Sequence, residues 1–296
     1  MNCFLWPGSN KNMKGAEGMN NLTAEPIAIV IVLYKKNIEE CISYQTLKLY
    51  INLYFANYKL IIYNNSPEFV TPELDNALLV NSTKNTKLPE AYNYALNYAI
   101  ENECKWLLLI DQDTELSEDY FNSLSVFLNI NKNDNIVAVV PTLKDGEQIL
   151  SPKRISSVGW WEYQLQHTGI QHGRVIAFNS LSLLRVGFLK TAGGFSEKYP
   201  LDMLDHWYYN QIYLQRKQVY VLDCTISHNL SFQNYEKDVD IHRHIEFLEA
   251  ERLFVSELGL LHYTVYKIKL LLRSLKQFII FKNKRYAKMT LKKLFD

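Results

Sequence analysis

Cysteine is scarce in this sequence, and the few cysteines follow no pattern. Four of them stand far apart without any C-x-x-C spacing, which argues against a disulfide framework and against a structural zinc site. Scattered cysteines of this kind are typical of proteins in a reducing compartment. We therefore expect the protein to be cytoplasmic.

Long apolar runs are also absent. No stretch of the chain approaches the roughly 20 apolar residues that a membrane-spanning helix requires. The start of the chain contains only a short apolar piece, which is too short for a signal peptide. We predict that residues 1–24 form a disordered leader, with Met13 or Met19 as an alternative start site.

The sequence lacks both of the glycine-rich patterns that commonly hold phosphate groups. Neither G-x-G-x-x-G nor G-x-x-x-x-G-K-[ST] occurs. This absence disfavours dinucleotide-binding proteins and P-loop nucleotidases. A diphosphate would then be held more readily by a divalent cation that carboxylates bind.

Buried strands alternate with helices in the first half of the chain. The strands are predicted from apolar runs without alternation, which are typical of strands buried on both faces. They lie at residues 27–34, 59–65, 106–111 and 135–141. Helical periodicity occurs at 88–103 and at 116–130, where Ser117 is the expected N-cap. This order predicts an α/β fold with an open, mostly parallel sheet.

Past residue 141 the pattern is less regular. Residues 174–186 and 218–223 have the composition of strands, and residues 201–217 that of a helix with acidic residues at its start. From Asp240 onward the chain has helical periodicity.

Two aspartates follow directly from the third buried strand, in the stretch LLLIDQDTEL. Ligands of open α/β sheets bind beyond the carboxyl ends of the strands, where Asp111, Asp113 and Asn65 should share one cleft. Carboxylates are hard oxygen ligands suited to Mg²⁺ or Mn²⁺. The alternative is a solvated acidic loop, and spacing alone does not separate the two. A second Asp-x-Asp, Asp238–Asp240, follows no strand, and we interpret it as a chance occurrence.

Six sequence blocks occur in a fixed order over about residues 27–235. They are IVIVLYKKN, YNNSPE, NTKLPEAYNYAL, LLLIDQDTEL, GGFSEKYPLDMLDHWYYNQ and ISHNLS. Together they resemble the motifs of family-2 glycosyltransferases, which have the GT-A fold. The resemblance is greatest to the rhamnosyltransferase-like branch, which makes bacterial surface polysaccharides such as O-antigen.

The resemblance implies a fold and a domain division. The fold would be a Rossmann-like, mostly parallel sheet flanked by helices. The catalytic domain would span residues 25–240, with a nucleotide-sugar half at 25–141 and an acceptor half at 142–240. Residues 241–296 would form a helical C-terminal extension.

The resemblance also implies roles for single residues. Asp113 would bind Mn²⁺ or Mg²⁺ directly, Asp111 would lie beside it near the ribose or a metal-bound water, and His228 would reach the cation or the diphosphate. Asp205 would be the general base, and Asn65 replaces an Asp that contacts the nucleotide base. The implied donor site comprises Leu33, Tyr34, Asn65, Asn85, Lys87, Asp111, Gln112 and Asp113. The implied acceptor side comprises Asn179, Ser180, Asp202, Trp160 and Trp161.

Simpler explanations exist for several of these residues. Asp202 and Asp205 at a helix start favour the helix dipole without any catalytic role. His228 alone is more often a hydrogen-bonded loop residue than a ligand. Trp160 and Trp161 would serve equally well in core or interface packing.

Two further observations bear on the site. Lys87 stands where the family favours glycine, which allows a close backbone approach. The resemblance gives no role to His206, His242 or His244, and we interpret them as surface or packing residues.

The end of the chain is strongly basic. From about residue 261 to the C-terminus there are ten Lys and Arg against one acidic residue, a net charge of +9, whereas the rest of the chain carries a net charge of −8. Mixed with Leu, Ile and Phe, these bases are typical of an interfacial amphipathic helix. We expect contact with an anionic membrane surface, at the inner face of the cell membrane. The alternative is a helix packed on the catalytic domain. No nucleic-acid-binding motif is present.

The sequence therefore predicts a metal-dependent, inverting glycosyltransferase. Its donor would be a dTDP-, UDP- or GDP-sugar, with rhamnose as the sugar that the resemblance favours, and its acceptor a glycan or lipid-linked glycan. One alternative is a catalytically silent sugar-nucleotide-binding or scaffold protein. Another is a pyrophosphorylase, which would need a glycine-rich phosphate loop near the N-terminus, where VLYKKNIEE has no glycine.

Overall fold

The computed structural model describes residues 23–69, 71–159, 161–227, 235 and 239–296. The strands are β1 (Ile27–Leu33), β2 (Tyr58–Asn64), β3 (Ala77–Asn81), β4 (Trp106–Asp111), β5 (Ile136–Asp145), β6 (Gln148–Ser151), β7 (Lys153–Ile155), β8 (Glu162–Gln164), β9 (Gly169–Gln171), β10 (Val175–Ile176), β11 (Leu183–Arg185) and β12 (Gln218–Ser227). The helices are α1 (Ile42–Tyr54), α2 (Lys87–Glu101), α3 (Glu118–Ile130), α4 (Val186–Thr191), α5 (Leu204–Leu214), α6 (Ile241–Glu257), α7 (Leu260–Ile280) and α8 (Arg285–Lys292), with a short 3-10 helix at Ile38–Glu40.

A mixed sheet forms the centre of the described part of the chain. Its strand order is β3-β2-β1-β4-β11-β5-β12-β9, with β6 beside β5. β1 pairs in parallel with β2 and β4, and β12 pairs in parallel with β5. β11 runs antiparallel between β4 and β5. The mostly parallel α/β fold predicted from the sequence is therefore confirmed. A separate small sheet contains β10, β7 and β8.

The inner strands are buried on both faces, as their continuous apolar runs predict. Every residue of β1 is buried, and β4 is buried up to its last residue, Asp111. One apolar cluster lies between the sheet and α2, α4 and α5, and a second lies between the sheet and α1 and α3. Packing from both sides fixes the strand ends, and with them the polar residues that follow.

Most predicted elements of the first half are present within one or two residues. Ser117 caps α3 as expected, because its Oγ accepts a hydrogen bond from the Tyr120 N–H. The strand predicted at 174–186 is wrong. Only β10 and β11 are extended there, because Leu181 adopts a left-handed φ of +60° and the Ser182 N–H bonds to the Asn179 carbonyl.

The sequence patterns missed α1 and β3. In α1 the buried Leu47 and Ile51 have the expected helical spacing, but Leu49 and Leu53 are 63% and 61% exposed. Because these two leucines are apolar and yet exposed, the sequence lacks the alternation of apolar and polar faces by which an amphipathic helix is recognised. β3 lies at the edge of the sheet and is only half-buried, so it lacks the apolar run of an inner strand.

The last three helices pack on one another and on the sheet domain. Leu248, Tyr266 and Leu270 form a small apolar cluster of their own. At the end of α6, Glu257 accepts hydrogen bonds from Lys198 and Tyr199, which precede α5. The predicted division at residue 240 stays a prediction. Thr23, the first described residue, is buried and pairs with Phe55, while the rest of the predicted leader lies outside the described residues.

Two adjacent glycines form the turn that follows α4 and leads toward α5. Gly193 and Gly194 both have a φ of +84°. A Cβ on Gly194 would come within 2.6 Å of the Asn93 Oδ1, whereas one on Gly193 would meet nothing within 4 Å. The Asn93 amide in turn bonds both backbone groups of Phe195. This side chain therefore ties α2 to the segment that precedes α5.

We expect Gly194→Ala to lower the free energy of unfolding more than Gly193→Ala. Both variants carry the left-handed strain of an alanine, about 1–2 kcal/mol, and only the first also displaces Asn93. Urea unfolding of both variants and the wild type measures the difference. Equal losses would contradict the close contact at Gly194.

Candidate functional site

The site lies at the carboxyl ends of three neighbouring parallel strands. In the register of the sheet, Leu33 pairs with Asn64, and Val32 pairs with both Tyr63 and Asp111. The residues that follow β1, β2 and β4 therefore emerge side by side. The sequence predicted this edge from the polar residues after each apolar run.

A cleft of about 560 Å³ opens at this edge. It brings together most of the residues predicted for the donor site. They are Tyr34, Asn65, Asn85, Lys87, Asp111, Gln112 and Asp113. Leu33 does not line the cleft, because its side chain is buried in the core, but its carbonyl accepts a hydrogen bond from the Asn65 N–H.

Gln112, between the two aspartates, joins two strand ends. Its side-chain oxygen accepts a hydrogen bond from the Tyr34 N–H at 2.9 Å, and its Nε2 donates to the Tyr34 carbonyl at 3.2 Å. Both polar groups of the amide are therefore used on the backbone after β1. The glutamine holds the loop of the acidic pair against the neighbouring strand, and the aspartates on either side remain at the cleft.

Asn65 braces the start of α2. Its Oδ1 accepts hydrogen bonds from the N–H and hydroxyl of Thr86, and its Nδ2 donates to the Lys87 carbonyl. The Asn85 Oδ1 accepts from the Lys87 N–H at 3.0 Å. Lys87 itself has a φ of +66°. Glycine adopts this left-handed conformation with least strain, which gives a physical reason for the glycine at the matching place of the glycosyltransferases that the sequence resembles.

Three carboxylates crowd the end of β4. Burial, then the charges of Asp113 and Asp205, raise the pKa of Asp111 to about 7, and a hydrogen bond from Ser180 opposes this rise. The Ser180 hydroxyl also shares a hydrogen bond with the Thr114 hydroxyl at 2.8 Å. A site that forces carboxylates together in this way stabilises a cation or a proton between them.

Asp205 lies in the first turn of α5, near this crowded edge but not in the lining of the cleft. Its Oδ1 accepts hydrogen bonds from the backbone N–H of His206 at 2.7 Å and from the ring Nδ1 of His206 at 2.9 Å. Its charge acts on Asp111, which places the two carboxylates within electrostatic range.

The predicted acceptor-side residues lie in different surroundings. Asp202 forms a two-pronged ion pair with Arg243 of α6, in which Nη2 donates to Oδ1 at 2.7 Å and Nη1 donates to Oδ2. Trp161 is 60% exposed in the loop between β7 and β8. Asn179 and Ser180 lie in the turn before β11. Trp160 and His228 lie outside the described residues.

Sequence patterns missed the part of the cleft that α6 supplies. Asp240, His242, Arg243 and Glu246 all line it. Asp240 belongs to the Asp-x-Asp set aside as a chance occurrence, and it caps α6 by accepting a hydrogen bond from the Arg243 N–H. An N-cap aspartate before an apolar helix was visible in the sequence. No local sequence pattern indicated that the start of this helix packs beside strand ends that lie more than a hundred residues earlier in the chain.

Comparison with solved structures identifies proteins of the same fold. A mannosyltransferase of Pyrobaculum calidifontis, PcManGT, in complex with GDP-Man and Mn²⁺, aligns over 92% of this chain and 86% of its own, with 12% identity and a TM-score of 0.52. S. aureus TarS 1–349 in complex with UDP-GlcNAc aligns over 90% and 79%, with 13% identity and a TM-score of 0.50. The sequence matches no protein-family model and no curated protein. The chain therefore shares the fold of a sugar-transferring enzyme and of a UDP-GlcNAc-bound protein.

The side chains of the cleft fit a divalent cation only in part. Asp111 and Asp113 offer hard oxygen ligands, and their mutual repulsion would be relieved by positive charge. No group of three His, Cys, Asp or Glu able to hold a metal ion exists among the residues that the structure describes. A cation bound by one or two carboxylates usually completes its coordination with waters and substrate phosphates. The pair fits a cation that arrives with a diphosphate.

The raised pKa of Asp111 predicts a pH-dependent stability without divalent cations. The folded protein keeps the Asp111 proton up to about pH 7, whereas the unfolded chain releases it near its ordinary value of 3.8. Stability from this group is therefore present below pH 4 and is lost as the pH rises to 7. At pH 8 in EDTA, Asp111→Asn should be more stable than the wild type by on the order of 1 kcal/mol or more, and this gain should vanish at pH 4.

Chemical denaturation at pH 4, 6 and 8 measures this gain. Glu147→Gln, in the exposed turn between β5 and β6, is the matched control and should follow the wild type at every pH. Parallel stability curves for Asp111→Asn and the wild type would contradict the raised pKa of Asp111.

Proposed function

We propose that this protein is a glycosyltransferase that moves a sugar from a nucleotide diphosphate to a hydroxyl of a glycan acceptor. One observation carries the proposal. Asp111 and Asp113 stand in a 560 Å³ cleft at the ends of parallel strands, in a fold shared with a mannosyltransferase bound to GDP-Man and Mn²⁺. The six sequence blocks support the same function independently of the fold.

In this proposal Asp205 is the general base and the transfer inverts the anomeric carbon. The acceptor hydroxyl gives its proton to the Asp205 carboxylate while its oxygen forms a bond to the anomeric carbon. The bond from that carbon to the diphosphate oxygen breaks, and the nucleoside diphosphate leaves with the bonding electrons. The effect of the Asp205 charge on Asp111 supports this assignment, because a base and a donor site that serve one reaction must lie close together.

Asp113, with Asp111 beside it, would hold Mn²⁺ or Mg²⁺. The cation would offset the charge that develops on the leaving diphosphate. Lys87 and Arg243, which line the same cleft, supply further positive charge from the protein. Arg243 is already paired with Asp202, so its position is set before any ligand arrives.

The finer assignments rest on the sequence resemblance. It favours a dTDP-linked rhamnose as donor and a lipid-linked glycan of a bacterial surface polysaccharide as acceptor. The two proteins of the same fold were bound to GDP-Man and UDP-GlcNAc, so the nucleotide is left open. The competing function is a silent sugar-nucleotide-binding or scaffold protein, which would bind a donor but be indifferent to Asp205→Asn.

We expect one nucleoside diphosphate, among UDP, dTDP and GDP, to raise the melting temperature when Mn²⁺ is present. A ligand that binds only the folded state at 100 times its Kd contributes about 2.7 kcal/mol. Asp113→Ala should abolish the shift, and Glu147→Ala should keep it. The same variants in a transfer assay, together with Asp205→Asn, separate an enzyme from a scaffold protein. Full transfer by a folded Asp113→Ala variant would refute the proposed metal role.

We also propose that α7 attaches the protein to an anionic membrane surface at the inner face of the cell membrane. Seven of its nine exposed large apolar residues share one face at helical spacing, and the other two, Leu260 and Ile280, are its end residues. The seven are Leu261, Ile268, Leu271, Leu272, Leu275, Phe278 and Ile279, each at least 43% exposed. The opposite face is buried against the preceding and following helices. No helix of the described chain is long and apolar enough to cross a bilayer.

The basic residues near this face support an anionic membrane as its binding partner. Lys276 lies exposed in α7 beside the apolar residues, and Lys288 and Lys292 are exposed in α8. Each base near an anionic leaflet contributes about 1 kcal/mol. Apolar residues flanked by bases match the boundary between acyl chains and acidic headgroups.

Replacing Leu272 and Leu275 together by glutamate should weaken binding to vesicles by about tenfold or more, because each leucine contributes about 1.5–3 kcal/mol when buried. The control replaces Leu49 and Leu53 of α1, which are just as exposed, and should bind normally. Cosedimentation with vesicles of 30% phosphatidylglycerol, at low and high salt, measures both variants. Equal binding by the two double variants would refute this attachment.

A further inference from the structure

A histidine to which the sequence resemblance gives no role contacts the proposed base. His206 follows Asp205 in the first turn of α5, and its ring Nδ1 lies 2.9 Å from the Asp205 Oδ1. The backbone N–H of His206 donates to the same oxygen at 2.7 Å. The Asp205 Oδ1 is therefore engaged twice by one residue, while no described hydrogen bond involves its Oδ2.

The His206 ring is itself held in place. It packs edge-to-face against Phe254 of α6, with ring centroids 5.7 Å apart. The ring also lines a second cavity of about 120 Å³, away from the donor cleft, between α5, α6, α7 and the β7–β8 loop. None of the described residues forms a hydrogen bond with its Nε2. The neighbours fix the ring orientation, and the hydrogen bond to Asp205 fixes which nitrogen faces the carboxylate.

The loop that closes this cavity is tied to α7. The Lys269 Nζ donates to the Gly159 carbonyl at 2.7 Å, and the His262 Nε2 lies 3.0 Å from the Ser157 carbonyl. These bonds hold the wall of the cavity opposite His206. The histidine therefore packs among four elements, with 28% of its side chain exposed.

We propose that His206 is a positioning residue for Asp205. By holding Oδ1 through two donors, it sets the carboxylate rotamer and leaves Oδ2 to receive the proton of the acceptor hydroxyl. This inference rests on the proposed function, since it assigns a partner to the base of that reaction.

The charges around the ring set its protonation. Burial lowers the pKa of His206, but the carboxylates of Asp205, Glu162 and Glu251 raise it, and the net shift is upward. Glu162 belongs to β8 and Glu251 to α6. Three further groups line the same cavity, namely Arg174, His262 and Lys269.

This protonation has a consequence for the base. An imidazolium beside Asp205 stabilises the carboxylate anion and makes it a weaker base, whereas the neutral ring still donates from Nδ1 without that charge. The rate of transfer should therefore rise as the pH increases through the pKa of His206.

Two substitutions separate positioning from structural support. His206→Asn places an amide N–H where Nδ1 stands and removes the titration, and His206→Leu removes both. We expect His206→Leu to lower kcat by about 10- to 100-fold, a part of the full contribution of a general base, with the donor KM within about twofold. His206→Asn should keep kcat within about threefold and lose the rise of rate with pH. The exposed His172→Asn is the control and should match the wild type.

Equal losses of kcat in His206→Asn and His206→Leu, with an unchanged pH profile and a lowered melting temperature in both, would overturn the proposal in favour of a structural role.

A measurement without turnover tests the pairing separately. NMR titration of the His206 ring, assigned by its loss in His206→Asn, should give a lower pKa in Asp205→Asn than in the wild type. An unchanged ring pKa would overturn the pairing whatever the enzyme does. A lowered ring pKa with no transfer from any donor would instead overturn the proposed function and establish the contact between the two side chains.

Discussion

The parallel pairing of β1 with β2 and β4 is the constraint on which the site depends. Parallel strands end at the same edge of the sheet. The polar residues that follow them are therefore brought together by strand pairing, without attraction between their own side chains. The buried runs of β1 and β4 set the register, because a slip of one residue would turn every side chain to the opposite face. The amide of Gln112 then joins the two strand ends through the backbone of Tyr34. The acidic pair is therefore located by strand packing, and its own charges oppose that location.

That opposition has an electrostatic cost. Burial of Asp111, together with the charges of Asp113 and Asp205, raises its pKa to about 7, so the folded protein without a cation carries an unfavourable interaction. Residues around the edge hold the arrangement despite it. Ser180 donates to Asp111, and Asn65 uses its whole amide on Thr86 and Lys87. A ligand that brings positive charge would relieve the repulsion between these carboxylates. Binding of such a ligand would therefore raise the free energy of unfolding.

The sequence predicted the half of the site that strands build and missed the half that helices build. Asp111, Asp113 and Asn65 each follow an apolar run, and sheet geometry alone brings such residues together. The contribution of α6 had no comparable signal, because Asp240 and Arg243 reach the cleft through packing of the extension on the sheet domain. His206 was missed for the same reason. Its neighbour Asp205 belongs to a motif, but the cavity around the ring is made by Phe254, which comes 48 positions later. Local patterns carry no information about contacts of that range.

The packing of α6 connects the C-terminal helices to the candidate site. The start of α6 lines the cleft, where Arg243 pairs with Asp202, and Phe254 in its later turns packs against the His206 ring. α7 closes the cavity on the other side through Lys269 and His262. The exposed apolar face of α7 points away from these contacts. A surface bound by that face would therefore lie next to α6, the helix that lines the cleft with its first turns and packs Phe254 against the His206 ring.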